Sequence, residues 1–241
     1  MRLVICLPTY NERANLEPVV RQLGEVLTGV DAEPRLLVID DSSPDGTGEL
    51  ADRLSGELPF VSVLHRTRKE GLGPAYIAGF RWALEEGADR IVQIDADFSH
   101  DPADLPRLLG ATESTGLSLG SRYVEGGGIE NWGKGRQAIS RFGSFYARTI
   151  LGVPVHDLTG GFKCWRREAL EALPLDRIRT KGYAFQIETT YRTLRAGFEI
   201  VEVPIVFAER RSGGSKMTRD IVLEAMWKVP ELRLRAALNR L

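Results

Sequence analysis

Along this chain, short apolar runs alternate with longer stretches in which apolar residues recur every three or four positions. The runs at residues 3–7, 36–39, 60–64, 91–94 and 117–119 have the length of buried strands. Between them, Leu16, Val19, Val20, Leu23, Val26 and Leu27 line one helical face, and Ile77, Phe80, Trp82 and Leu84 belong to a helix opened by Pro74. Ser42-Ser43-Pro44-Asp45-Gly46 turns into another helix ending near Gly56, and Pro102 opens a further one. Strand and helix thus alternate four times at roughly 25- to 30-residue intervals, the βαβ pattern of a doubly wound, mostly parallel sheet. Right-handed crossovers bring all of these strand ends to one edge.

Beyond residue 120 the pattern loosens. Residues 125–135 hold five glycines around Trp132 and read as a mobile loop. Residues 136–151 read as an amphipathic helix with Ile139, Phe142, Tyr146 and Ile150 in line. Residues 157–166 read as a turn entering a strand, 184–194 as a helix, and 200–207 as a β-rich run broken at Pro204. The tail from Thr218 reads as a helix kinked or broken at Pro230. No linker-like segment divides the chain, so one α/β domain over residues 1–217 with a helical extension over 218–241 is expected.

Composition narrows the class. At 241 residues, with 43% hydrophobic and 27% charged residues, the chain buries a core without disulfide or metal staples. A net charge of −1 argues against a protein that coats nucleic acid. Cys6 and Cys164 sit in apolar runs without metal-ligand spacing and are expected as buried free thiols of a reducing compartment. No apolar run approaches the ~20 residues of a membrane span. The N-terminus enters a strand at once rather than a signal segment, so a cytoplasmic location is expected.

Chemistry concentrates where the strands stop. Ile91 to Ile94 ends at Asp95-Ala96-Asp97, and Leu36 to Ile39 ends at Asp40-Asp41. Ligands of open α/β sheets bind outside such carboxyl ends. Carboxylates gathered around one crevice raise one another's pKa unless a divalent cation holds them ionised. Metal plus a polyphosphate ligand is therefore the first reading. Helix capping competes for Ser99 and Asp101, ahead of Pro102, but leaves Asp95 unexplained. An acidic phospho-receiver pocket is the other alternative. It fits poorly, because such a module spans about half this length and carries its acidic pair on the first strand.

Other nucleotide motifs fail on their spacing. Gly71-Leu72-Gly73-Pro74-Ala75-Tyr76 lacks the last glycine of a dinucleotide fingerprint. The stretch from Gly128 to Gly135 has Gly where a P-loop needs Ser or Thr. Four cations beside flexible segments, Arg122, Arg136, Arg210 and Lys216, suit a diphosphate leaving group and a phosphate acceptor.

Leu7-Pro8-Thr9-Tyr10-Asn11-Glu12, the stretch from Asp40 to Thr47, and Asp95-Ala96-Asp97-Phe98-Ser99-His100 resemble three blocks of the family 2 inverting glycosyltransferases. Further blocks are Gly120-Ser121-Arg122-Tyr123, Asp157-Leu158-Thr159-Gly160-Gly161-Phe162, Lys181-Gly182-Tyr183-Ala184-Phe185-Gln186 and Ser215-Lys216-Met217. They extend the resemblance to the dolichol-phosphate (polyprenol-phosphate) mannose synthases, in their short form without transmembrane helices. The resemblance implies a GT-A fold and transfer of mannose from GDP-mannose to a dolichyl or polyprenyl phosphate, with Mg²⁺ or Mn²⁺. It implies that Pro8, Tyr10, Glu12, Ile39 and Asp41 hold the guanosine, and that Asp95 and Asp97 meet metal and sugar beside Ala96. Ser99 stands where some relatives carry a metal-binding Gln. Arg122, Arg136, Arg210 and Lys216 would bind phosphates, with Asp97 and these four cations as the catalytic set. A polyprenyl-phosphate glucosyltransferase using UDP-glucose is the nearest alternative.

An ionised phosphate acceptor needs no base, so none is required near the site. The tail then gains a role. Its Ile221, Leu223, Met226, Trp227, Leu234, Leu238 and Leu241 alternate with Lys228, Arg233, Arg235 and Arg240. That is the pattern of a helix on an anionic membrane surface, here the cytoplasmic face, with or without a separate membrane-protein subunit. A terminal helix packed on its own domain is the competing reading.

Overall fold

The structure is a computed structural model describing residues 1–180, 182–209 and 219–238, without the side chains of residues 219–225. Its first half follows the apolar pattern closely. Strand β1 (Arg2–Thr9) is followed by α1 (Arg13–Leu27), β2 (Glu33–Asp40), α2 (Thr47–Glu57), β3 (Val61–His65), α3 (Leu72–Glu85) and β4 (Arg90–Gln93). A 3₁₀ turn at Pro102–Asp104 leads into α4 (Leu105–Ala111) and β5 (Leu117–Ser121). The second half comprises β6 (Gly128–Ile129), α5 (Lys134–Leu151), β7 (Lys163–Arg166), α6 (Arg167–Glu171), α7 (Gly182–Arg195), β8 (Ile200–Pro204), β9 (Val206–Phe207) and α8 (Arg219–Ala237).

Seven strands form one sheet in the order β3-β2-β1-β4-β7-β5-β8, and β6 pairs with β9 in a separate ribbon. Strand β1 is parallel to both β2 and β4, with Leu7 opposite Val38 and Cys6 opposite Gln93. Chain order runs outward in opposite directions from β1 and β4, so the switch point where such sheets bind ligands lies between them. The antiparallel β7 sits between β4 and β5, placing Lys163 opposite both Gln93 and Leu119. The preceding Gly160-Gly161-Phe162 therefore arrives at the carboxyl end of β4.

Leu16, Val20 and Leu23 of α1 pack on one face of the sheet, while Tyr76, Phe80, Trp165 and Phe185 build the core of the other. Helix α3 closes on that face because Gly79 has no side chain. A Cβ there would lie 2.5 Å from Ile39 Cδ1 and 3.0 Å from Cys6 Sγ. Cys6 and Cys164 are free and buried, as expected, and burial pushes the Cys164 thiol up to about 12.

Three expectations need correcting. The glycine stretch around Trp132 is pinned, with β6 on β9 and the buried Trp132 ring 5.3 Å from Phe207 in edge contact. Helix α8 runs through Pro230 unbroken. The missing Pro230 N–H would orphan the Met226 carbonyl, which instead accepts from the Tyr146 hydroxyl at 2.8 Å. On α5, the aligned Ile139 and Phe142 face outward, and the buried face is made by Ser144, Ala147 and Leu151. Helix α8 packs on α5 and α7 through Val229, Leu232 and Ala236.

Candidate active site

Three parallel strands end at the switch-point edge, and each is followed by a non-glycine residue at positive φ. These are Asn11 (57°) after β1, Ser42 (60°) after β2 and Phe98 (62°) after β4. Such conformations cost of order 1–3 kcal/mol and cluster at functional edges. Here each adjoins a residue lining a cavity of about 460 Å³.

One end of the cavity suits a flat heterocycle. Pro8 near the end of β1, Tyr10 and Glu12 just beyond it, and Asp41 just after β2 line this end. Asp41 is buried and accepts from Arg66 Nη1 and, at 3.4 Å, from the Gly71 N–H. Arg66 is itself held by Glu70 at 2.6 Å. Lys69 Nζ sits 3.7 Å over the Tyr10 ring. The neighbouring acids have local duties. Asp40 accepts from Ser43 Oγ at 2.6 Å, and Asp45 accepts from the Thr47 N–H at 3.0 Å at the start of α2.

At the floor lie Asp95, Ala96 and Asp97. Tyr76, fully buried on α3, donates its hydroxyl to Asp95 Oδ1 at 2.8 Å, and the Ser99 N–H donates to Asp97 Oδ1 at 3.0 Å. Burial, then the Asp95 charge, hold the Tyr76 phenol well above its ordinary pKa, so it stays a donor. Gly161 passes close by. A Cβ on it would stand 3.4 Å from Asp95 Oδ2 and 3.5 Å from His100 Nε2, so glycine keeps space open beside the carboxylate. Among the described residues no three His, Cys, Asp or Glu converge as a metal cage. Two carboxylates with room beside them suit Mg²⁺ or Mn²⁺, since Mg²⁺ typically takes one or two carboxylates and completes its shell with phosphate oxygens and water.

A third wall is an ion pair. Arg122, just after β5, places Nε and Nη2 each 2.7 Å from the two Asp157 oxygens, and Nη2 also donates to Thr159 Oγ1 at 2.7 Å. Burial opposes the Asp157 charge, but the guanidinium more than offsets it and holds the carboxyl below its usual range. Behind the floor, Gln93 Nε2 donates to Gln186 Oε1 at 2.8 Å. Lys163 Nζ donates to the Gln186 carbonyl at 2.9 Å and to Thr189 Oγ1 at 3.1 Å.

Of the residues the sequence nominates, Pro8, Tyr10, Glu12, Asp41, Asp95, Ala96, Asp97 and Arg122 line the cavity. Ile39 is buried in the core beneath, with its carbonyl accepting from Thr9 Oγ1 at 3.3 Å. Ser99 is buried and off the lining, touching the site through its N–H to Asp97. Arg136 stacks 3.7 Å over Trp132 and pairs with Glu209 at 3.3 Å, one ring layer behind the lining residue Phe207. Arg210 and Lys216 lie outside the described residues.

Gly116-Leu117-Ser118-Leu119-Gly120 has nucleophile-elbow spacing, although no such elbow was expected from the sequence. Ser118 is in mid-strand, fully buried, and donates to the Leu108 carbonyl at 2.8 Å, so it is no nucleophile.

Residues 4–173 match the family described as "Glycosyl transferase family 2". The chain belongs to that family. Over 236 residues it is 50% identical to an undecaprenyl-phosphate mannosyltransferase of Micrococcus luteus, covering 98% of this chain and 96% of that relative. It is 47% identical to a polyprenol monophosphomannose synthase of Mycolicibacterium smegmatis, covering 99% and 89%. In fold, this family 2 glycosyltransferase is similar to Mycobacterium tuberculosis glucosyl-3-phosphoglycerate synthase bound to UDP. The TM-score is 0.66 at 22% identity, covering 96% of this chain and 80% of that one. A complex of the same enzyme with Mn²⁺, UDP-glucose and glycerol 3-phosphate gives a TM-score of 0.61 at 23% identity, covering 99% and 79%. The fold is GT-A-like, as the sequence implied.

In this transferase the residues missed by sequence reasoning are Tyr76, Arg66, Lys69, Gly161, His100 and Gln186. Tyr76 and Phe80 both lie on a helix face that reads as core. Only packing against the sheet turns the Tyr76 hydroxyl toward Asp95. Gly161 was legible as part of a motif, but its closeness to Asp95 depends on β7 being inserted antiparallel.

Proposed function

We propose that this chain transfers mannose from GDP-mannose, with inversion, to the phosphate of a polyprenyl or dolichyl monophosphate, using Mg²⁺ or Mn²⁺. The observation that carries this reading is the near-full-length similarity, at 50% and 47% identity, to two proteins named for polyprenyl-phosphate mannose synthesis. The cavity agrees with it chemically. Stacking on Tyr10 would seat the base, and the Asp41 carboxylate can accept from both the N1–H and the 2-amino group of guanine, whereas uracil offers a single N–H on that edge. Asp95 and Asp97 would hold the metal, and a bound cation would neutralise the departing diphosphate.

Acceptor phosphate is ionised at neutral pH, so the protein's task is placement and charge. Arg122 has Nη1 outside its bonds to Asp157 and Thr159, and Arg136, Arg210 and Lys216 would supply the remaining positive charge. Ser99 would act through its N–H on Asp97 rather than as a ligand. No described helix is long and apolar enough to cross a membrane. We propose that the protein meets its lipid substrate from the cytoplasmic face as a peripheral protein, residues 1–217 forming the catalytic domain and 218–241 an extension.

The test is a matched pair of acceptors, a short polyprenyl phosphate and the corresponding free alcohol, each offered with GDP-mannose and Mg²⁺. Mannosylation of the phosphate alone is expected. Comparable mannosylation of the alcohol would mean a base operates in the site and would refute the acceptor assignment.

A further inference from the structure

Three polar groups converge on the space where Gly161 has no side chain. A Cβ at that glycine would stand 3.4 Å from Asp95 Oδ2, 3.5 Å from His100 Nε2 and 3.7 Å from Gln186 Nε2. All four residues line the cavity. Gln186, on α7, is buried, and its amide has a fixed sense. Its Oε1 accepts from Nε2 of the fully buried Gln93 at 2.8 Å, so the donor end, Nε2, is the one turned toward Gly161. The backbone beneath is held as well, because Lys163 Nζ donates to the Gln186 carbonyl at 2.9 Å. Buried polar residues of two strands, β4 and β7, thus aim one amide.

This combination selects its ligand. An amide N–H cannot ligate a cation, and the Asp95 carboxylate beside it repels a phosphate. A neutral hydroxyl suits both, donating to the carboxylate and accepting from the amide. Sheet order decides which hydroxyl-bearing part of a nucleotide sugar reaches it. Tyr10 and Asp41, at the base end, follow β1 and β2. Asp95 and Asp97 follow β4, and Gly161 precedes β7, on the far side of β4 from β1. With neighbouring strands about 4.8 Å apart, the Gly161 space lies beyond the carboxylates from the base, on the side of the hexose and away from the ribose.

We infer that Gln186, aimed by Gln93, reads a hydroxyl of the transferred hexose in the space that Gly161 leaves open. Asp95 Oδ1 is taken by Tyr76, while Oδ2 has lone pairs for both a cation and that hydroxyl. Gln93 acts through Gln186 as a positioning residue. The inference rests on the mannosyl-donor reading and adds to it the residue that checks the sugar.

The experiment compares the full chain with Gln186→Met and with the double variant Gln93→Leu/Gln186→Met. The double variant guards against a folding failure, because removing both partners of a buried hydrogen bond strands neither one, and thermal melts check the fold. Donors are GDP-mannose and the GDP-linked mannoses that each lack one hydroxyl, offered with Mg²⁺ and a short polyprenyl phosphate. Both variants should lower kcat/KM for GDP-mannose by about tenfold. Their affinity for GDP, measured by calorimetry, should stay within about twofold. On one deoxy donor the unmodified protein should lose a similar factor and the variants nothing further, the non-additivity of a direct contact. An equal penalty on every deoxy donor overturns the inference. So does an affinity for GDP that falls as far as kcat/KM, which would make Gln186 a structural or ribose-side group. Failure of the mannosyl-donor reading is distinct, because the unmodified protein would then not turn over GDP-mannose at all, whereas the inference fails with that turnover intact.

Discussion

The Tyr76 hydroxyl meets Asp95 Oδ1 at 2.8 Å, so the carboxylate nearest the Gly161 opening is oriented from the core and not by solvent. Hydrogen bonds to a charged group contribute about 1.5–3 kcal/mol. Tyr76→Phe should therefore lower kcat/KM by about 10- to 100-fold, with a higher metal requirement, and lower the melting temperature by only a few degrees. A metal titration of activity checks this. An unaltered midpoint would mean that Asp95 needs no such support.

Arg122 and Asp157 form a buried pair whose loss should be felt in stability as well as activity. Asp157→Asn leaves a buried guanidinium without its counter-charge, at a cost of about 3–5 kcal/mol. In the native protein the Asp157 carboxyl is held below its usual range. Its stabilising contribution is present in full above an unfolded-state pKa of about 3.9 and is lost as pH falls through the lower folded value. Denaturant unfolding from pH 6 down to pH 3 should show the native protein losing more stability than Asp157→Asn over that acid interval. Parallel curves would contradict the pairing.

Lys163 is fully buried, and desolvation holds its ammonium well below the ordinary lysine pKa. The unfolded chain then binds more protons between the lowered folded value and about 10.4, so stability rises with pH across that window. Lys163→Met should flatten this alkaline rise. The Gln186 carbonyl would keep the Thr190 hydroxyl as a partner at 2.9 Å. Denaturant midpoints at pH 7 and pH 9.5 for the two proteins test it, and an equal rise in both would remove Lys163 as the cause.

Much of this was legible because local patterning and tertiary position agree in the first half. Strands β1, β2 and β4 are buried on both faces, so their apolar runs end where the sheet ends, and Tyr10, Asp41, Asp95 and Asp97 fall at the edge by counting residues. The second half was less legible because its contacts are distant in sequence. Nothing local tells Lys163 that it lies between Gln93 and Leu119, or Tyr146 that it satisfies the carbonyl freed by Pro230. Helix α5 has the apolar period of a core helix, yet Phe142 faces outward because the small Ser144 and Ala147 allow the close packing on the other side.

In the proposed reaction this cavity takes a guanosine diphosphate sugar and passes mannose to a lipid phosphate with the help of Asp95 and Asp97. The purified chain, given a short polyprenyl phosphate with GDP-mannose or UDP-glucose in parallel, each with Mg²⁺ and with excess chelator, tests it most directly. Product from GDP-mannose alone, abolished by chelator and by Asp97→Asn, is the predicted result. Turnover of UDP-glucose in preference to GDP-mannose, or metal-independent transfer by Asp97→Asn, would contradict it.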